Sequence, residues 1–147
     1  AIKMNVESTR GVQTVDFHGS QISLSKVDII SIKRPSNPKQ DDDAIKQIMR
    51  SLMSEQHLDV IFRMSDESIE EGLFVFGIES EIDMLLTIQV FDEEAFAMEV
   101  SSSIEIFIGS NYKALNVMEL EDGKYFLLLE DEKGRELIRE LTIAKRD

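Results

Sequence analysis

The chain has 147 residues, of which 42% are hydrophobic and 31% are charged, and its formal net charge is −13. This composition predicts one globular domain over residues 1–147 and excludes an intrinsically disordered chain. The absence of cysteine excludes disulfides, thiolate nucleophiles and thiolate metal sites. The apolar runs are too short for a membrane span and the N-terminus has no signal-peptide pattern, so we expect a cytoplasmic protein.

The first third of the chain has the pattern of β-strands. Val15 and Phe17 alternate with polar residues before "HGS", a turn that contains glycine. Ile22 and Leu24 alternate after this turn, so a hairpin is predicted. The stretch "VDIISI" (27–32) is rich in β-branched residues and predicts a buried strand.

A loop and then a helix are predicted next. The stretch "RPSNPKQDDD" (34–43) contains both prolines together with Ser, Asn and Asp, which marks a loop. From Asp43 to residue 56 the apolar residues recur at helical spacing. Asp43 can cap the first turn, and this interpretation of "DDD" is preferred to a metal site because no calcium-loop pattern follows. The apolar stripe consists of Ile45, Ile48, Met49, Leu52 and Met53.

From Leu58 onwards the period changes to two residues. The stretches "LDVIFRM" and "LFVFGI" have strand composition, and segments 82–90, 96–100 and 104–108 alternate strictly. Acidic residues fall in the connections "SDESIEE", "ESEID" and "FDEE" and on the polar positions. This pattern predicts an antiparallel meander whose apolar residues face one side. The residues expected to be buried in its longest strand are Ile82, Met84, Leu86, Ile88 and Val90.

The C-terminal stretch fits either a helix or a strand. It opens with Asp122-Gly123, a hairpin signal, and continues with "YFLLL". Leu137 and Leu141 fit a helix face as well as a strand face. The good helix formers over 135–145 favour a helix. The predicted fold class is therefore α+β, an antiparallel β-sheet meander with one or two packed helices.

Negative charge is concentrated in the middle of the chain. Residues 51–112 contain fourteen acids and one base, and no Lys, Arg or His occurs between Met64 and Tyr112. Phosphate contacts require basic side chains, so nucleic acid and anionic membranes are disfavoured as partners and a basic protein surface is favoured. The alternative is an acidic face that serves only solubility. The candidate partner-binding residues are Asp66, Glu67, Glu70, Glu71, Asp92, Glu93 and Glu94.

The sequence contains no catalytic pattern. His18 falls in a predicted turn and His57 at the end of the predicted helix, and neither has a Ser or Cys motif nearby. Nucleophile-elbow, Walker, dinucleotide-binding and H-E-x-x-H motifs are absent. Carboxylate pairs such as Glu70-Glu71 are abundant, but a hydrolytic pair requires one carboxylate in an apolar pocket. We therefore expect a protein that is not an enzyme and has no cofactor and no metal site.

One stretch resembles a known family. "FDEEAFAMEVSSSIEIFIG" is similar to the SecB export-chaperone family, in which a strand leads into an acidic turn, Ala-Phe, Glu-Val and a Gly/Phe/Ile strand. Residues 93–96 and 99–100 follow that order, and Arg135-Glu136 matches a pair in the family's long helix. Lys133-Gly134 stands where the family has Pro-Tyr, and the 41–57 helix would be an insertion.

The resemblance implies a binding function. It implies an antiparallel sheet with packed helices, a tetramer, apolar grooves for unfolded preproteins, and an acidic surface with Glu93 and Glu94 that docks a basic motor protein. With the charge distribution, it predicts a non-catalytic acidic protein-binding module, chaperone-like and homo-oligomeric, for a basic surface or an unfolded polypeptide. The alternatives are an inhibitor or immunity-type protein that covers a basic surface, and a structural subunit of a phage or another assembly.

Overall fold

The computed structural model describes residues 8–9, 12–17, 20–23, 27–37, 43, 46, 49–50, 58–65 and 67–145. Within these residues the chain forms twelve β-strands in three sheets. The strands are β1 (Ser8–Thr9), β2 (Val12–Phe17), β3 (Ser20–Ser23), β4 (Asp28–Lys33), β5 (Ile61–Arg63), β6 (Leu73–Ser80), β7 (Met84–Asp92), β8 (Glu99–Val100), β9 (Ile104–Ile106), β10 (Gly109–Asn116), β11 (Gly123–Glu130) and β12 (Glu136–Ile143).

The predicted α+β class is wrong, because the described chain is almost entirely β-structure. In the region of the predicted 43–56 helix, helical backbone is described at Asp43, Lys46, Met49 and Arg50 alone, and all four side chains are exposed. Met49, which the apolar stripe places on a buried face, is 56% exposed. The other stripe residues lie outside the described residues.

The two larger sheets pack face to face. The first sheet has the strand order β5-β6-β10-β4-β8, and the second has the order β12-β11-β7-β9. Neighbouring strands in both sheets are antiparallel, except that β4 and β10 are parallel. Consecutive strands from β6 to β11 alternate between the two sheets. The predicted antiparallel pairing is therefore confirmed, whereas the predicted meander is wrong.

Alternate side chains of both sheets meet in one core. Leu86, Ile88 and Val90 on β7 are each at most 5% exposed, as their alternation predicts. They belong to the same buried cluster as the inward side chains of β6 in the opposite sheet, so the two inner faces form a sandwich. The cluster includes Phe74, Phe76, Ile78, Leu86, Ile88, Val90, Leu127 and Leu129.

The C-terminal stretch is a strand and not the favoured helix. β12 pairs with β11 along its full length, from Glu130 opposite Glu136 to Gly123 opposite Ile143. The hairpin between them lies after Glu130 and not at Asp122-Gly123, since β10 and β11 lie in different sheets. Burial of Leu137, Leu141 and Ile143 on one face of β12 outweighs the helix propensity of the segment. The long helix that the SecB resemblance implies at Arg135-Glu136 is therefore absent from this position.

Backbone hydrogen bonds join the two sheets along both sides of the sandwich. On one side, the Leu58 N–H donates to the Glu136 carbonyl (3.2 Å) and the Ile69 N–H donates to the Thr142 carbonyl (2.7 Å). These bonds attach the segments before and after β5 to the edge of β12. On the other side, the Met98 N–H donates to the Val90 carbonyl (2.8 Å), and the next residues form β8 in the first sheet. Backbone hydrogen bonds thus connect the two sheets along both sides.

We expect Gly72→Ala to destabilise the protein more than Gly134→Ala. The two glycines have nearly equal positive φ angles, 75° and 80°, so both substitutions carry a left-handed backbone cost of roughly 1–2 kcal/mol. A Cβ atom at Gly72 would also overlap Met118 Cγ, whereas the nearest atom to a Cβ at Gly134 is Glu130 Oε1 at 3.9 Å. Urea denaturation measures both changes, and equal losses would show that Met118 moves aside without cost.

Candidate protein-binding surface

The predicted acidic residues lie at one end of the sandwich, in two groups. Glu67, Glu70 and Glu71 lie between β5 and β6, and Asp92–Glu94 lie at the end of β7 and in the turn that follows it. The pairings of Ile69 with Ile143, of Gly123 with Ile143, and of Tyr125 with Asp92 place both groups at this end. β11 and β12 separate the two groups, so they do not form one cluster. Asp66 lies outside the described residues.

Asp92 organises the turn in which it lies. Its Oδ1 atom accepts hydrogen bonds from the Glu94 N–H (3.0 Å) and the Phe96 N–H (2.9 Å). Its Oδ2 atom is 3.7 Å from Arg34 Nη1, and the side chain is only 16% exposed. These bonds support the positive φ of 66° at Ala95. Asp92 therefore holds a turn together, while the neighbouring Glu93 and Glu94 are exposed.

Basic residues from distant parts of the chain approach the acidic end. Arg34 lies beside Asp92, and Lys124 contacts Glu140 at 2.9 Å. The pKa of Lys124 is raised, first by its hydrogen bond to Glu140 and by the charge of that residue, and further by Glu93. The stretch that carries one sign of charge in the sequence is therefore partly neutralised in the fold.

A small cavity of about 140 Å³ also lies at the acidic end. Its lining residues include Glu67, Glu140 on β12 and the apolar Phe74. Glu140 already contacts Lys124. The cavity thus has one carboxylate, that of Glu67, without a described ion pair.

The opposite end of the sandwich exposes large apolar side chains on two loops. Ile82 follows β6 and is 51% exposed, whereas Phe107 and Ile108 follow β9 and are 56% and 69% exposed. The Ile108 N–H donates to Asp83 Oδ1 (2.9 Å), which joins the two loops. We call Ile82, Phe107 and Ile108 the apolar corner. The expected burial of Ile82, and of Ile108 as a continuation of the same alternation, is wrong because both residues lie beyond the ends of their strands.

A buried asparagine holds the loop of the apolar corner in place. Asn111 is 8% exposed, and its Nδ2 atom donates to the carbonyls of Phe107 (2.8 Å), Gly109 (3.3 Å) and Ile78 (3.2 Å). Its Oδ1 atom accepts from the Phe107 N–H (2.9 Å). Asn111 therefore holds the backbone of residues 107–109 at both Phe107 and Gly109, while the side chains of Phe107 and Ile108 are exposed. Sequence reasoning missed this site, although Gly109 and Asn111 mark a turn that interrupts the alternation.

A larger cavity of about 380 Å³ lies beside the apolar corner. It is bounded by the start of β5 and the two residues before it, by the end of β6 and by the start of β10. Its lining residues are Asp59, Val60, Ile61, Glu79, Ser80, Glu81, Gly109 and Ser110.

The described residues contain no group of three His, Asp or Glu side chains arranged to hold a metal ion. In the same part of the chain, no helix has the length and apolar composition needed to cross a membrane.

A scan against protein-family models finds no match to this chain, and a search of curated proteins finds none either.

Proposed function

We propose that this protein is a non-catalytic protein-binding module that holds its partner at the apolar corner. The observation that carries the proposal is that exposed apolar side chains lie on a loop whose backbone is held by hydrogen bonds. Single exposed apolar residues are common on protein surfaces, but here Ile82, Phe107 and Ile108 lie on two joined loops. Asn111 fixes one of these loops before any partner binds, so less conformational entropy is lost on association.

The partner in this proposal is a protein with a basic surface. The net charge of −13 attracts such a protein over long distances, and this attraction raises the association rate. Glu67, Glu70, Glu71, Glu93 and Glu94 contribute to the attraction from the opposite end, whereas contacts at the apolar corner slow dissociation. A cytoplasmic location is part of the same proposal and is supported by the absence of cysteine.

A site-specific cross-linking experiment tests this proposal. A photo-reactive residue replaces Ile108 in one variant and Met118 in another, because both side chains are similarly exposed, at 69% and 65%. Met118 follows β10 and lies at the acidic end, so it serves as the matched control. We expect one basic protein to be cross-linked at position 108 and not at position 118. Equal cross-linking at both positions, or none at position 108, would contradict the proposal.

The captured partner then allows a quantitative measurement. Phe107→Ser and Ile108→Ser should each weaken its binding by about tenfold or more, because truncated anchor residues of interfaces typically lose at least that much. Met118→Ser should change the affinity less than about threefold. Surface plasmon resonance measures both effects, and raising the salt concentration should lower the association rate rather than raise the dissociation rate.

A chaperone for unfolded polypeptides is the second candidate function, and the exposed apolar side chains favour it. A chaperone binds many unfolded chains weakly, whereas an inhibitor or adaptor binds one folded protein tightly. A permanently unfolded protein used as a competitor separates the two functions. Competition at the apolar corner supports the chaperone, and the absence of competition supports a module for one folded partner.

A further inference from the structure

We infer that the cavity beside the apolar corner receives a Lys or Arg side chain of the partner protein. The module would then recognise a segment in which apolar residues adjoin a basic residue. This inference deepens the proposed function and rests on it.

The cavity and the apolar corner are parts of one continuous surface. Gly109 and Glu81 line the cavity, and they directly adjoin Ile108 and Ile82 in the chain. The Gly109 carbonyl accepts a hydrogen bond from Asn111 Nδ2, so the same side chain fixes the loop and the cavity wall. A partner segment seated on the apolar corner therefore lies next to the opening of the cavity.

The lining of the cavity suits a long basic side chain. Val60 and Ile61 provide apolar surface, and Ile61 is 54% exposed. Asp59, Glu79 and Glu81 provide three carboxylates, and none of the described residues that line the cavity is basic. Lys and Arg bury their aliphatic stems against apolar surface while the charged group stays near water or a carboxylate. The lining thus matches both parts of such a side chain.

Two of the three carboxylates have no ion pair with a described residue. Glu79 Oε1 lies 3.3 Å from Arg63 Nη2, so Glu79 is already paired. No ion pair joins Asp59 or Glu81 to a described base, and both side chains are exposed. A volume of about 380 Å³ is at the small end of ligand cavities, which holds a side chain with its adjoining backbone.

Charge argues against a second copy of this chain as the occupant. A two-fold symmetric contact through this end would bring the same acidic residues of both copies together. A basic segment of another protein, in contrast, matches both the apolar corner and the acidic lining.

Selection from a displayed random-peptide library tests the inference with a defined probe. On the intact 147-residue chain we expect enrichment of peptides in which apolar residues lie within a few positions of Lys or Arg. The double variant Asp59→Lys/Glu81→Lys should bind the enriched peptide at least about tenfold more weakly, by fluorescence anisotropy. A second selection on this variant should enrich acidic residues in place of the basic one.

The matched control is Glu119→Lys/Glu121→Lys, which makes the same change in net charge on two exposed residues between β10 and β11, at the opposite end. It should weaken peptide binding less than about threefold at physiological salt, where screening limits distant charges. Equal losses from the two double variants would overturn the inference, because net charge alone would then explain the binding. Enriched peptides without basic residues, or no enrichment, would overturn it as well.

The inference and the proposed function can fail separately. If Phe107→Ser abolishes partner binding and Asp59→Lys/Glu81→Lys leaves it unchanged, the function stands and the basic-side-chain site is wrong. If sedimentation shows a dimer that Ile108→Ser dissociates, the corner binds a second copy and the inference is wrong. If neither change affects partner binding, both fail.

Discussion

Leu86→Ala is expected to lower the free energy of unfolding by roughly 3 kcal/mol, within the range of about 2–5 kcal/mol for buried leucines. Leu86 is completely buried, on the inner face of β7 in the centre of the second sheet. Its removal leaves a cavity between the two sheets that neither sheet can fill without moving its paired strands. The loss is a large part of the stability of a typical domain, so the urea midpoint should fall clearly.

Thr87→Ala is the control for this prediction. Thr87 is exposed on the opposite face of the same strand, next to Leu86. The substitution keeps the strand and removes little buried surface, so its cost should stay below about 1 kcal/mol. Equal losses from the two variants would mean that the inner and outer faces of β7 are wrongly assigned.

The second large effect is expected at Asp131, in the turn between β11 and β12. Its Oδ1 atom accepts from the Lys133 N–H (2.9 Å) and the Arg135 N–H (2.8 Å), and its Oδ2 atom accepts from Arg135 Nε (2.6 Å). The side chain is only 4% exposed. Hydrogen bonds to charged groups contribute about 1.5–3 kcal/mol each, so Asp131→Ala should lose roughly 3 kcal/mol after partial replacement by water.

The pH dependence separates the charge of Asp131 from its shape. Burial alone would raise the pKa of Asp131, but hydrogen bonds from Arg135 and Lys133 and the charge of Arg135 together hold it below its ordinary value. Its carboxylate therefore stabilises the fold above the unfolded pKa of about 3.9, and this contribution is lost as the pH falls through the lower folded value. The stability difference between the wild type and Asp131→Asn should shrink below about pH 4.

Glu132→Gln is the control for the pH experiment, because Glu132 is exposed in the same turn. The free energy of unfolding of the Glu132→Gln variant should change with pH in the same way as that of the wild type. A difference between the wild type and Asp131→Asn that stays constant from pH 7 to pH 2 would contradict the assigned role of the carboxylate.

Alternation predicts the strands of this protein well, but it does not predict where each strand ends. Leu86, Ile88 and Val90 are buried as expected, yet the same pattern continues to Ile82, which is exposed. Ser80 determines the end of β6, because its Oγ atom donates to the Ile82 carbonyl (2.7 Å). This bond joins residues only two positions apart, but a polar residue at position 80 fits the alternation equally well, so the periodic pattern does not reveal the turn. The apolar corner was missed for this reason.

The strand β12 shows how tertiary packing overrides local preference. Residues 135–145 contain good helix formers, but Leu137 and Leu141 find partners on β11, at Leu129 and Tyr125. Helix propensities differ by less than about 1 kcal/mol per residue, whereas burying a leucine contributes about 1.5–3 kcal/mol. The sequence alone favoured a helix, the outcome of the weaker effect, because it could not show that β11 lies beside residues 136–143.

The acidic middle of the chain illustrates a similar limit. Its acidic residues were predicted to contribute to partner binding, and in the fold β11 and β12 separate Glu70 from Glu93. Arg34 and Lys124 approach the same end from segments far away in sequence. Charge counted along the chain therefore overstates the charge that a partner meets at one place.

The parallel pairing of β4 with β10 also determines when the protein can fold during synthesis. Lys113 of β10 pairs with Asp28 of β4, and the two residues are 85 positions apart in the chain. The partner strand of β4 is therefore synthesised well after β4 itself. At a translation rate of about 5–20 residues per second, this delay is roughly 4–17 seconds. Ile30 and Ile32 have no partner strand on that edge of β4 during this time. Because β10 must insert between β6 and β4, the first sheet is completed only after residue 116 has left the ribosome, and the nascent chain is most exposed to aggregation just before that moment.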